Sequence, residues 1–176
     1  MLTKQQEKII DEVFKSLQLM SYYELYYTFD FSVQRVKNFN SIMEKKNLEM
    51  KRDLVYEYEK TLKRNIGFDC VAEAKRFPMR PKMQMAKVNP RDFNRNREVI
   101  DIMISTYLVI AIKTLRENYR FNAVQVQRWW DSIREMSHLY TQKEPLTDAH
   151  IVKYFNQECK LPIYFEGDEQ DDRVDC

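Results

Sequence analysis

The sequence predicts an all-α protein, a bundle of about seven helices built from stacked helical hairpins. Three observations point there. Apolar residues recur at three- and four-residue steps along most of the chain, the spacing of one helix face. No stretch alternates as a half-buried strand would. Glycine is scarce, with two in 176 residues against an average of about 7%. β-rich folds need many turn residues with φ > 0, which glycine supplies.

The elements follow in order. Thr3 begins a capping box with Gln6, and Ile10, Val13, Phe14, Leu17 and Met20 carry the helical period on toward Tyr26. Ser32 is a good N-cap for a second helix with Val36, Phe39 and Met43 on one face. Val55, Tyr58, Leu62 and Ile66 mark a third, which Gly67 stops. Asp69 caps a short fourth helix ending at Phe77, since Pro78 disfavours helix before it. Residues 78–93 hold Pro78, Pro81 and Pro90 and read as a loop. A long helix is expected over 95–119. Asn122 caps another through Val126, Trp129, Ile133 and Met136, and Thr147 caps a last one with Ile151, Tyr154 and Phe155. Leu161-Pro162-Ile163-Tyr164-Phe165 reads as an extended segment docked on the body. One helical domain, 1–165, and an acidic tail, 166–176, are expected.

A pattern recurs three times: Leu, five residues, Phe, then a cap. The copies are Leu25…Phe31-Ser32, Leu62…Phe68-Asp69 and Leu115…Phe121-Asn122. Copies one and three extend further, with Val36 matching Val126 and Phe39 matching Trp129. Copies two and three share Thr-Leu-x-x-Asn and place Phe77 and Trp130 alike. The physical reading is a helical hairpin whose Phe fills the corner before the cap. Duplication of a hairpin and the common chemistry of capped corners both produce such a pattern.

Net charge is +2, but residues 1–97 carry +7 and residues 98–176 carry −5. The densest apolar stretch, Val99–Leu115, has 12 apolar residues of 17 and contains Asp101 and Lys113. It is too short and too charged for a bilayer span and is assigned to a buried core helix, so no membrane is expected. Cys70, Cys159 and Cys176 are an odd number without a C-x-x-C spacing, which suggests free thiols in a reducing, cytoplasmic compartment. His138 and His150 have no metal-ligand spacing. The two glycines stand 100 residues apart, so no P-loop, dinucleotide fingerprint or nucleophile elbow can be written. No carboxylate pair or Cys–His couple falls on one face. No catalytic residue, metal or cofactor is therefore expected.

The main functional signal is Lys75–Arg97. Lys75, Arg76, Arg80, Lys82, Lys87, Arg91, Arg95 and Arg97 face a single acid, Asp92, giving +7 in 23 residues. Basic side chains on a proline-bearing loop suit a phosphate backbone, and the flanking Phe77 and Phe93 suit base stacking. A solvated loop is the plain alternative. The tail, with six acids and one base, reads as a solubilising end, or as a weak inhibitor lying on the basic loop in cis.

A partner surface is the second signal. Trp129 shares the Val126–Ile133 face and belongs to the core. Trp130 points about 100° away and is read as exposed beside Arg134, both being interface residue types. Tyr22, Tyr23, Tyr26 and Tyr27 span too wide an arc for one core stripe, so Tyr22, Tyr23 and Tyr27 are read as a partner or homodimer surface.

The corner phenylalanines, the long apolar helix ending in Leu115, Arg128-Trp129 and the pattern Thr147-Asp148…Ile151…Phe155…Glu158 resemble short uncharacterised helical proteins of Firmicute prophages. The resemblance covers the last 80 residues or so. Those proteins often carry glycine beside the corner Phe, where this chain has Arg120 and Asn122. The resemblance implies a mobile-element context and transfers no activity. The combined expectation is a non-enzymatic phage accessory protein acting in the host cytoplasm. It would bind DNA or RNA, or a host protein bound to nucleic acid, and regulate or inhibit it. The alternatives are a protein–protein module and a small phage assembly protein.

Overall fold

A computed structural model describes residues 4–78 and 90–141. Thr3, the expected Thr147 helix, residues 161–165 and the tail lie outside the described residues. Within them the chain forms six helices: α1 (Lys4–Tyr27), α2 (Val33–Glu49), α3 (Arg52–Ile66), α4 (Cys70–Arg76), α5 (Pro90–Tyr119) and α6 (Ala123–Thr141). The described part is all-helical. The predicted caps at Ser32, Asp69 and Asn122 form. Ser32 Oγ accepts from the Arg35 amide at 3.3 Å, and Asp69 Oδ1 accepts from the Ala72 amide at 2.9 Å. Asn122 and Gln125 exchange two bonds, at 2.9 and 3.0 Å, a reciprocal capping box.

One boundary moves. α5 begins at Pro90, inside the segment read as loop, because proline without an N–H suits the first turn of a helix. Residues 90–93 are therefore helix and not loop.

α5 is the central helix. Tyr107 to Ile112 are six consecutive buried residues, so this stretch is covered on every side, as its unbroken apolarity requires. The two charges that interrupt the apolar stretch are compensated. Asp101 receives Arg97 at 2.7 Å, and Lys113 sits 3.2 Å from Glu117 and 3.2 Å from the centre of the Tyr58 ring.

The three repeated corners share two features. Each Leu and each Phe is buried. The residue before each Phe is left-handed: Asp30 (φ 54), Gly67 (φ 70) and Arg120 (φ 59). In the first and third corners the Phe amide bonds back to the Leu carbonyl six residues earlier, at 2.9 and 3.1 Å, so that the corner satisfies a carbonyl of the preceding helix's last turns.

The hairpins α1–α2 and α5–α6 also meet reciprocally. Phe29, two before its corner Phe, packs against Phe121 with ring centres 4.9 Å apart, and Tyr119, at the matching position, packs against Phe31 at 4.8 Å. α1 packs on α6 as α2 packs on α5, and α1 also packs on α5. Equivalent residues lie 90 apart in sequence, Val36 with Val126 and Phe39 with Trp129, all four fully buried. This mutual pattern is that of a two-fold interface, here within one chain. α3 and α4 pack on α5 outside it.

Candidate nucleic-acid interface

The basic region begins on α4. Asp69 fixes the helix by its cap and accepts Lys63 at 2.6 Å. That ammonium and the Ala72 amide hold the Asp69 carboxyl below its ordinary range. α4 is only two turns long, so it is held mainly by packing. Cys70, Ala74 and Phe77 are buried, and burial pushes the Cys70 thiol up out of the physiological range.

Arg97 joins α4 to α5. Its guanidinium donates to the Lys75 carbonyl at 2.7 Å and the Ala74 carbonyl at 3.4 Å, while Nε donates to Asp101 at 2.7 Å. It therefore satisfies the Lys75 carbonyl at the end of α4 and adds a second donor to the Ala74 carbonyl, which also accepts the Phe77 amide. Arg97, read from sequence as a phosphate ligand, is instead a structural tie with its charge met by Asp101.

The tie brings the flanks of the basic segment together. Lys75 and Arg76 are exposed in the last turn of α4. Arg76 is 68% exposed while touching Glu73 at 3.2 Å. Arg91 and Arg95 stand four residues apart on the first turns of α5. Arg80, Lys82 and Lys87, between Pro78 and Pro90, lie outside the described residues.

Trp130 is corrected outright. It is fully buried, stacked on Phe77 at 5.3 Å with planes 25° apart, and its indole N–H donates to Glu73 Oε2 at 2.8 Å. Helical spacing gave the angle between the two tryptophans but not the position of α4, which covers the second ring. Arg134 reaches the same Glu73 oxygen at 3.1 Å and Asp131 at 2.8 Å. Arg76 and Arg134, read as parts of two different surfaces, thus meet on one carboxylate. They line a shallow depression of about 460 Å³ with Pro78, Asp131, Glu135 and His138. It lies where the chain leaves α4 toward Arg80. Glu73, the carboxylate that Arg76 and Arg134 share, gave no sequence signal, because nothing local links residue 73 to residues 130 and 134.

The tyrosine reading divides. Tyr22 is buried, and its hydroxyl donates to Asn40, whose amide donates to Glu44 at 2.9 Å. It is a core residue and no partner contact. Tyr23 is half-buried and Tyr27 is 46% exposed, with their rings 4.4 Å apart. Trp129 is core as expected. Among the described residues there is no group of three or more His, Cys, Asp or Glu able to hold a metal, and no helix is long and apolar enough to cross a membrane. Comparison with known proteins adds no relative: no family model, no curated protein and no solved structure matches the chain.

Proposed function

We propose that this chain is a non-enzymatic binding protein of a phage or similar element that engages nucleic acid, or a host complex bound to nucleic acid, and regulates or inhibits it. The observation that carries the reading is the Arg97 tie, which holds Lys75 and Arg76 of α4 beside the start of α5. The two flanks of the basic segment thereby start from helices that are tied to each other, and the positive end of the α5 dipole adds to the charge of the second. Arg97 itself is excluded from the contact, leaving Lys75, Arg76, Arg80, Lys82, Lys87, Arg91 and Arg95. The phage setting rests on the resemblance described for the C-terminal part.

The test is titration of single-stranded and duplex oligonucleotides at several salt concentrations. Engagement of about five phosphates gives a log–log slope near −3.5 for single strands. Affinity then falls about 10²-fold between about 50 and 200 mM salt. The triple variant R80A/K82A/K87A flattens the slope and leaves the fold intact. A salt-independent affinity, or one lost on Tyr27→Ala and not in the triple variant, would instead favour a protein-only surface at the exposed Tyr27.

A further inference from the structure

The internal two-fold relation assigns an occupant to a groove on the α1–α2 hairpin. On the α5–α6 hairpin, the cleft between the helices is covered by α4 and Pro78. Arg97 holds the α4 carbonyls, Arg134 holds Glu73, and Ser137 Oγ donates to the Pro78 carbonyl at 3.0 Å. Ninety residues earlier, the matching positions are Glu7, Glu44 and Asn47. All three line one groove of about 630 Å³ with Phe14, Met43 and Met103. The walls are apolar and the rim polar, and no counterpart of α4 covers it among the described residues. The same cleft thus occurs twice, once sealed by a helix ending in an aromatic residue and proline.

We propose that residues Leu161–Phe165 of this same chain fill the α1–α2 groove. Chain length and direction favour this occupant. α6 ends at Thr141, and Ser137 near that end meets Pro78, beside the carbonyls that Arg97 holds. From Arg97 the groove lies six to thirteen residues along α5, about 10–20 Å. Nineteen residues lie between Thr141 and Leu161; with the expected Thr147 helix counted at about 1.5 Å per residue and the remaining seven residues at up to about 3.3 Å each, they reach about 40 Å at most, enough for that distance. The segment repeats the chemistry that seals the other cleft, Leu161-Pro162 matching Phe77-Pro78, and adds Ile163, Tyr164 and Phe165 for the apolar walls. It carries no charged residue, whereas the equally apolar run 151–155 contains Lys153.

The test uses the full chain with labelled methionine methyl groups. The Met43 and Met103 methyls are expected to show nuclear Overhauser contacts to the Tyr164 and Phe165 rings, unchanged on dilution. In Y164A/F165A, with far-UV dichroism preserved, those contacts vanish and both methyl resonances move. Asn47→Trp, which narrows the mouth from an exposed position, displaces the segment likewise. Absent contacts with unmoved resonances overturn the proposal. So do contacts that disappear on dilution together with a dimer in sedimentation, which would assign the groove to a second copy.

Discussion

Trp130→Phe tests whether Glu73 joins α4 to α6, and Trp129→Phe is its internal control. Both indoles are fully buried, adjacent on α6 and 6.3 Å apart. Replacing either by Phe removes a similar apolar volume, so transfer and cavity costs largely cancel between the two variants. They differ in one bond. Trp130 donates to Glu73 at 2.8 Å, whereas the Trp129 N–H is buried and meets no acceptor among the described residues. A hydrogen bond to a charged group contributes about 1.5–3 kcal/mol, and an unpaired buried N–H costs about 1–3 kcal/mol. Trp130→Phe loses the first, and Trp129→Phe is relieved of the second. The expected gap is at least about 2 kcal/mol, with Trp130→Phe the less stable. At a urea dependence near 2 kcal/mol per molar, that is about 1 M in midpoint. Urea unfolding followed by far-UV dichroism at neutral pH reads it directly. Adding Glu73→Gln to each variant closes the cycle: it weakens the chain less beside Trp130→Phe than beside Trp129→Phe. Equal midpoints for the two single variants would refute the assignment of Glu73 as the joint.

Three further outcomes are expected. Arg120→Gly relieves a left-handed strain of about 1–2 kcal/mol at an entropic cost of about 0.5–1 kcal/mol, so it stabilises by about 0.5–1 kcal/mol; Asp30→Gly gains less, because Asp tolerates φ > 0 better. Gly67→Ala loses about 1–2 kcal/mol from φ alone, since an added Cβ would meet nothing within 4 Å; thermal or urea midpoints rank the three. Asp69 has a lowered native pKa, so its contribution is present above the unfolded value near about 4 and is lost as pH falls through the lower native value. Asp69→Ser, which keeps a cap, shows a smaller drop in urea midpoint from neutral to acid pH than the parent chain. Cys70, buried with its thiol pKa raised, is expected to resist a thiol reagent in native C159S/C176S chain at neutral pH and to react at once in denaturant; rapid native labelling would contradict its burial.

Most of the element order was legible because its signals are local. Ser32, Asp69 and Asn122 cap helices wherever the following residues turn, and a helix cannot run through Phe77 into Pro78. The Leu–Phe corners were legible as a pattern, but their left-handed residue was not. Only one of the three positions is glycine, so Asp30 and Arg120 gave no conformational signal. The candidate site was legible as a charge count and misread in its parts. Arg97 looks like any other basic residue until α4 ends beside it, and Trp130 looks exposed until Phe77 lies on it.

The sequence by itself determined the helical class, the caps, the central apolar helix and the excess of positive charge between Lys75 and Arg97, because each depends on residues within a turn or two of one another. Only the tertiary structure decided which charges are already matched inside the fold, which aromatics are covered, and that the two hairpins pack reciprocally. Those depend on pairs separated by tens of residues, such as Glu73 with Trp130 and Phe29 with Phe121, and no local pattern specifies which distant side chain supplies the other half of a contact.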